Sequence, residues 1–156
     1  MAKQTAMVSP AVAGVARFVP LATNVADYDP FPEIDPGARP TGSDVLIQVR
    51  SPKLKSKGGI ILSAESVETD YWNIQVGLVR ALGPLAYHNR ETLKPWPEGA
   101  WCNVGNFVRI PKFGGDRWEI DFGPNDEHKA LFCLFRDTEI RAVVTGDPNA
   151  MKAYVK

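Results

Sequence analysis

The chain has 156 residues, 44% of them hydrophobic, which is enough to bury the core of one domain. Eighteen basic and eighteen acidic residues cancel to a formal net charge of zero, which argues against a nucleic-acid or lipid surface based on overall charge. No apolar run approaches the roughly 20 residues needed to span a bilayer, and residues 11–16, bounded by Pro10 and Arg17, are too short to favour a secretory signal.

Residues 1–40 are predicted to form an extended N-terminal arm. They contain six of the thirteen prolines and show no sustained helical or strand periodicity. Proline lacks a backbone donor and biases the preceding residue toward extended conformations, so a helix or a central strand is disfavoured here. The arm is either a disordered tail or a strap that lies on a neighbouring subunit.

From Asp44 onward, the sequence indicates short β-strands separated by glycine and proline. The predicted strands cover residues 45–49, 76–82, 107–110, 117–122, 130–135 and 140–145. Residues 112–116 contain two glycines and fit a hairpin turn. No convincing helix of ten or more residues is predicted before the last few positions. The pattern predicts an all-β fold, a small antiparallel or mixed barrel.

The connection between the first two strands, residues 51–74, is unusually long for a compact domain. It contains several lysines, then Gly58 and Gly59, then the three large aliphatic residues Ile60, Ile61 and Leu62. Composition alone favours an ordinary turn and a buried strand. The alternative is a flexible hydrophobic tip that binds a partner. Phosphate binding is disfavoured, because the glycine-rich phosphate motifs are missing.

Several segments together resemble the GroES co-chaperonin family (chaperonin 10), over about residues 39–146. They are Arg39-Pro40, the strand at 45–49, residues 58–62 with the lysines that precede them, the segment 77–83, Phe113-Gly114-Gly115, residues 118–120 and residues 136–144. Their order and spacing are similar to those of the family. The resemblance implies a small GroES-like β-barrel over residues 41–146, with a mobile loop at 51–74 and a roof-like insertion at 84–99.

The resemblance also implies a function and a set of site residues. In this family the tip of the mobile loop docks on a GroEL-type chaperonin, and the tip here would be Gly58, Gly59, Ile60, Ile61 and Leu62. The subunits form a seven-membered ring in which the first and last strands pair across interfaces. The corresponding residues here are Val45, Ile47, Val49, Ile140, Val143 and Val144. The chain is thus predicted to be a co-chaperonin ring subunit that assists protein folding.

The chain differs from ordinary family members at both ends and in the roof segment. The arm and the C-terminal extension, residues 147–156, resemble additions in phage-encoded co-chaperonins that help to fold capsid protein. The roof segment carries His88, Arg90 and Trp96 where a tight hairpin is expected. These differences support an alternative: a virion decoration protein that reuses the barrel and clamps the major capsid protein with its arm and loop.

The two cysteines and two histidines do not indicate a metal site. Cys102 and Cys133 lie in apolar stretches, as buried free thiols commonly do, although one disulfide between them remains the alternative. Neither they nor His88 and His128 have the spacing of metal ligands. We expect reduced cysteines, a cytoplasmic location (the host cytoplasm if the protein is phage-encoded), and no metal or other cofactor.

Catalysis and nucleic-acid binding are also disfavoured. Asp126, Glu127 and His128 form a polar run beside turn residues, and no nucleophile motif accompanies them. The four tryptophans could stack bases, but such surfaces combine aromatic residues with strong positive charge, and this chain is neutral. We expect the tryptophans to pack in the core and at interfaces.

Overall fold

The computed structural model describes residues 29–51, 60–61, 63, 65, 74–126 and 128–151. Six strands occur in this part of the chain: β1 Asp44–Val49, β2 Val76–Leu82, β3 Phe107–Arg109, β4 Asp116–Phe122, β5 His128–Arg136 and β6 Ala142–Val143. They form one sheet in the order β4-β5-β1-β2-β3-β6, and every neighbouring pair is antiparallel. The all-β prediction is confirmed. This sheet and its core are called the barrel below.

The predicted strands agree with the structure except near the C-terminus. The sequence predicts a strand over residues 140–145, but β6 contains only Ala142–Val143. The 3₁₀ turn Asp137–Glu139 follows β5 directly, and Ile140 places its side chain in the core with 5% of its surface exposed. The backbone therefore joins the sheet only after Ile140.

Strand β1 lies at the centre of the sheet and is buried on both faces. Its residues pair with β2 on one side and with β5 on the other, as in the contacts of Val45 with Leu82 and Phe135. Because side chains alternate across a strand, Val45, Ile47 and Val49 enter the main core while Leu46 enters a second core on the opposite face. A two-sided core requires a cover on each face.

A segment of the N-terminal arm, residues 29–37, covers the second core and is called the strap below. Pro32 is almost fully buried, and the Phe31 ring lies 5.1 Å from the Phe107 ring. Ile34 packs against the second core, and Trp118 Nε1 donates a 2.8 Å hydrogen bond to the Pro36 carbonyl. This part of the arm therefore packs on its own barrel, and residues 1–28 lie outside the described residues.

Two buried polar side chains connect the strap to the sheet. Arg80 in β2 is 3% exposed, and its Nε donates a 2.7 Å hydrogen bond to Gln48 Oε1 in β1. Arg80 Nη2 also donates to the carbonyls of Phe31 and Pro32, at 3.1 and 3.2 Å. Burial lowers the pKa of the Arg80 guanidinium, while the nearby carboxylates of Glu33 and Asp29 oppose that shift. A buried charge is thus offset by carbonyls and acidic residues of the strap.

The turn between β3 and β4 depends on glycine. Gly114 and Gly115 have φ values of 94° and 72°, in the left-handed region that disfavours other residues. A Cβ atom on Gly115 would also lie 2.8 Å from the Leu134 carbonyl oxygen. The glycines lie between β3 and β4 as predicted, and β4 begins at Asp116. The predicted hairpin at residues 112–116 is wrong, because β3 pairs with β2 and β6 while β4 pairs with β5, so this connection joins strands that are not neighbours in the sheet.

Candidate docking site at the loop end of the barrel

The long connection leaves and rejoins the barrel at neighbouring positions. Strand β1, which precedes the connection, ends where Val49 pairs with Gly77 of β2. The Arg50 amide then donates a 3.2 Å hydrogen bond to the Val76 carbonyl. On the returning side, Ile74 is 6% exposed and belongs to the main core. We call Arg50, Ser51 and Ile74 the loop root. The sheet therefore holds both ends of residues 51–74.

The described part of the predicted tip is exposed. Ile60 and Ile61 have 71% and 76% of their surface exposed, in contrast to the fully buried aliphatic residues of β1. For these two residues, the expectation of an ordinary buried strand is wrong. Gly58, Gly59 and Leu62, the other predicted tip residues, lie outside the described residues. Adjacent exposed isoleucines form an apolar surface of the kind that binds a partner.

Ser51 holds the outgoing side of the loop root and is 7% exposed. Its amide donates a 2.8 Å hydrogen bond to the Pro30 carbonyl of the strap. Its hydroxyl donates a 3.3 Å hydrogen bond to the Lys129 carbonyl of β5. The strap thus begins beside the loop root, at the same end of the barrel. Sequence reasoning missed this arrangement, because Pro30 and Ser51 carry no motif that links them.

The structure corrects the predicted subunit contact of β1. Val45, Ile47 and Val49 have no exposed surface, and both edges of their strand pair within the chain. A strand with two occupied edges has no backbone groups left for a neighbouring subunit. The first-strand half of the predicted interface therefore does not fit this fold.

The other half of the predicted subunit contact, at the last strand, lies at the edge of the sheet. Strand β6 pairs with β3 on one side and is the last strand of the sheet formed by the described residues. Val143 is 40% exposed and Val144 is half-buried, whereas Ile140 is buried in the main core. Of the predicted interface residues, Val143 is the most accessible to a neighbouring subunit.

The roof segment, residues 84–99, forms a compact hairpin-like turn at the other end of β2. His88 and Pro95 form a β-bridge, and the Trp96 amide donates a 2.9 Å hydrogen bond to the Tyr87 carbonyl. The Trp96 ring also makes an edge contact with the Tyr87 ring, at 5.3 Å between centroids. The prolines and the histidine of this segment are compatible with a tight turn.

The two cysteines are buried as free thiols. Cys102 Sγ lies 3.0 Å from the Tyr87 hydroxyl, and burial raises the pKa of the Cys102 thiol. Burial likewise raises the pKa of Cys133 to about 12. Within the described ranges, no group of three or more His, Cys, Asp or Glu residues is placed to hold a metal ion. The described residues also contain no helix that is long and apolar enough to cross a membrane.

Comparison with known proteins identifies the family. The family model described as "Cpn10: Chaperonin 10 Kd subunit" matches residues 37–144, about two-thirds of the chain. The matched range begins at the last residue of the strap, includes the barrel and the long loop, and ends just after β6. No curated protein matches the chain significantly. The chain belongs to the chaperonin 10 kDa subunit family, which is the GroES family.

Proposed function

We propose that this protein is a co-chaperonin subunit that caps a GroEL-type chaperonin through Gly58, Gly59, Ile60, Ile61 and Leu62. Family membership supports co-chaperonin function in general, and co-chaperonins of this family are not enzymes. The observation that carries the proposal is the exposure of Ile60 and Ile61, at 71% and 76%, on a connection between two core strands. Such exposure has a thermodynamic cost unless a partner covers these side chains.

The energetics favour a weak individual contact. Burial of one large aliphatic side chain contributes about 1.5 to 3 kcal/mol, whereas fixing the backbone of each loop residue costs about 1 to 2 kcal/mol. A single loop therefore binds poorly. Several loops on one ring make later contacts intramolecular, which raises the overall affinity by about a hundredfold or more.

The ring proposed for this chain is a heptamer, as the family resemblance implies. The accessible edge of β6, with Val143 and Val144, is the part of the predicted interface that remains available for a neighbouring subunit. Exposed strand edges favour pairing with another chain. We place the working complex in the cytoplasm, with a phage capsid protein as a proposed client.

The decisive experiment measures the mass of the purified protein with and without a GroEL-type chaperonin and ATP. The wild-type protein should form an ATP-dependent complex. Ile61→Asp should abolish complex formation and leave the free oligomer unchanged, because it places a charge in an apolar contact. Leu93→Asp is the matched control, since Leu93 is 60% exposed in the roof segment and should not affect capture.

The alternative function, a virion decoration protein, predicts a different outcome. The protein would then be present on mature virions, in a fixed ratio to the capsid protein, and would not bind the chaperonin. The strap, which packs on its own barrel through Phe31 and Pro32, is not available to clamp a capsid subunit in this arrangement. That observation favours the co-chaperonin. Capture of Ile61→Asp as efficiently as wild type would refute the assigned tip.

A further inference from the structure

The C-terminal segment, residues 147–151, contacts the side chain of Arg50 in the loop root. Arg50 Nη1 lies within hydrogen-bonding distance of three carbonyl oxygens: 3.3 Å from Pro148, 3.1 Å from Asn149 and 3.3 Å from Met151. These residues lie about 100 positions from Arg50 along the chain. A charged donor shared by several carbonyls is a strong contact for a segment outside the sheet.

The C-terminal segment has a defined turn that brings these carbonyls together. The Asn149 amide donates a 2.9 Å hydrogen bond to Asp147 Oδ1, and the Ala150 amide donates to the Asp147 carbonyl at 3.2 Å. Asp147 therefore organises the turn, in the manner common for aspartate at the first position of turns. Arg50 then binds the carbonyl side of a preformed turn.

Both chain extensions meet at the loop root. Ser51, the residue after Arg50, is bound by the strap through the Pro30 carbonyl at 2.8 Å. Pro30 precedes the family match, which begins at residue 37, and the C-terminal segment follows its end at residue 144. The two segments that lie outside the family match thus hold two consecutive residues from which the loop departs.

We propose that the C-terminal segment, held by Arg50, is a positioning element for the docking loop. It restricts the directions in which the loop leaves the barrel, so less conformational freedom is lost when the tip docks. Arg50 is a positioning residue that acts through the backbone of the loop root and does not contact the partner. This inference rests on the proposed function, because it assumes that the loop docks.

The first test needs no chaperonin. Trypsin cleavage at Lys53, Lys55 and Lys57 is followed by mass spectrometry in the free oligomer. Arg50→Ala should raise the cleavage rate about threefold, because a less restrained loop root reaches the protease more often. Arg50→Lys keeps a charged donor and should give an intermediate rate. Arg136→Ala is the matched control, because Arg136 is exposed and pairs with Asp44 at the opposite end of β1. Trypsin should cleave the loop of this variant at the wild-type rate.

The second test measures chaperonin affinity in the presence of ATP. Arg50→Ala should weaken capture about three- to tenfold, with ring mass and unfolding midpoint close to those of wild type. Truncation after Gly146 removes the three acceptors and should have the same effect. The truncation combined with Arg50→Ala should be no worse than either change alone, because both remove one interaction.

The outcomes separate the inference from the proposed function. Unchanged loop cleavage in Arg50→Ala and in the truncated protein would overturn the positioning role, even if the unfolding midpoint fell, because the contact would then be structural only. A wild-type protein that chaperonin does not capture would overturn the proposed function instead. Increased cleavage with weakened capture in both variants, and neither change in Arg136→Ala, supports the inference.

Discussion

Arg80 Nε lies 2.7 Å from Gln48 Oε1 between two adjacent central strands, where the two residues are 3% and 0% exposed. The Pro32 carbonyl accepts hydrogen bonds from both side chains, at 2.8 Å from Gln48 Nε2 and 3.2 Å from Arg80 Nη2. This polar pair therefore joins β1, β2 and the strap at one point. Buried polar groups of this kind are costly to leave half-satisfied.

Replacement of Arg80 should destabilise the protein strongly. Arg80→Met leaves Gln48 Oε1 and the Phe31 carbonyl without their donor, and we expect the free energy of unfolding to fall by about 3 to 5 kcal/mol. The double variant with Gln48→Met should lose less than the sum of the two single changes, because it removes the unsatisfied amide. Urea unfolding measures both. Arg136→Met is the exposed control, and a cost for Arg80→Met below about 0.5 kcal/mol would contradict the role of the pair.

Removal of the strap should expose the second core. Deletion of residues 1–36 removes the buried Phe31 and the packed Ile34, and we expect a loss of about 3 kcal/mol or more in the free energy of unfolding. Binding of a hydrophobic dye should increase, since Phe132 and Leu46 lose their cover. Deletion of residues 1–28 keeps the strap and is the control. Equal stability of the two truncated proteins would show that the strap is dispensable.

Charge at the edge of β6 should weaken the oligomer. Val143 is 40% exposed within the subunit, so Val143→Asp should change subunit stability by less than about 1 kcal/mol. An aspartate on the strand edge should nevertheless oppose pairing with a neighbour. Sedimentation at decreasing concentration should show smaller species for Val143→Asp and not for Leu93→Asp. If the Val143→Asp oligomer dissociates at the same concentration as the wild-type oligomer, the contact between subunits lies elsewhere.

Stability should decrease at alkaline pH because of Cys133. Burial raises the pKa of this thiol from 9.0 to about 12, and the charge of Arg117 opposes the shift. Between these values the unfolded thiol ionises while the folded one keeps its proton, so rising pH favours unfolding. Below pH 9 this thiol does not change the free energy of unfolding with pH. Between pH 9 and about 12 it lowers the free energy of unfolding by about 1.4 kcal/mol per pH unit.

Cys133→Ala tests this pH effect. The variant should show a shallower decline in the free energy of unfolding between pH 9 and 11 than wild type, whatever its own loss of packing. The Cys133 thiol of the wild type should also react with iodoacetamide much more slowly at pH 8.5 when folded than in urea, because the thiolate is the reactive form. Parallel stability curves for the two proteins would show that Cys133 does not titrate in this range.

The two glycines at residues 99 and 115 allow backbone strain and steric conflict to be separated. Both have positive φ, 79° and 72°, but only Gly115 has backbone close to the position of an added Cβ. Gly99→Ala should cost about 1 to 2 kcal/mol from the left-handed conformation alone. Gly115→Ala should cost more, because the Leu134 carbonyl would lie 2.8 Å from the added atom. Thermal unfolding of both variants measures the difference.

Local patterns in the sequence predict most of the strands. Alternation in β4 and the glycine-rich turn before it depend on neighbouring residues, so they can be recognised without knowledge of the fold. The buried polar pair could be suspected only from Arg80 within an apolar run. Its partner, Gln48, is 32 residues away, and no local pattern relates the two. The extended, proline-rich arm likewise fits a disordered tail or a strap on a neighbouring subunit, and no local pattern predicts that residues 29–37 pack on their own barrel.

For the predicted docking tip, local sequence shows that Ile60 and Ile61 lie in an unusually long connection between two strands. The fold adds that both side chains are exposed, while the strands on either side are buried. The sequence also determined the alternation of β1, but only long-range pairing made it a central strand with no free edge. The contacts of Arg50 with the C-terminal segment and of Ser51 with the strap belong to the tertiary structure alone. Periodicity shows which face of a strand is apolar. The strands that pair along its two edges depend on contacts between residues far apart in the chain.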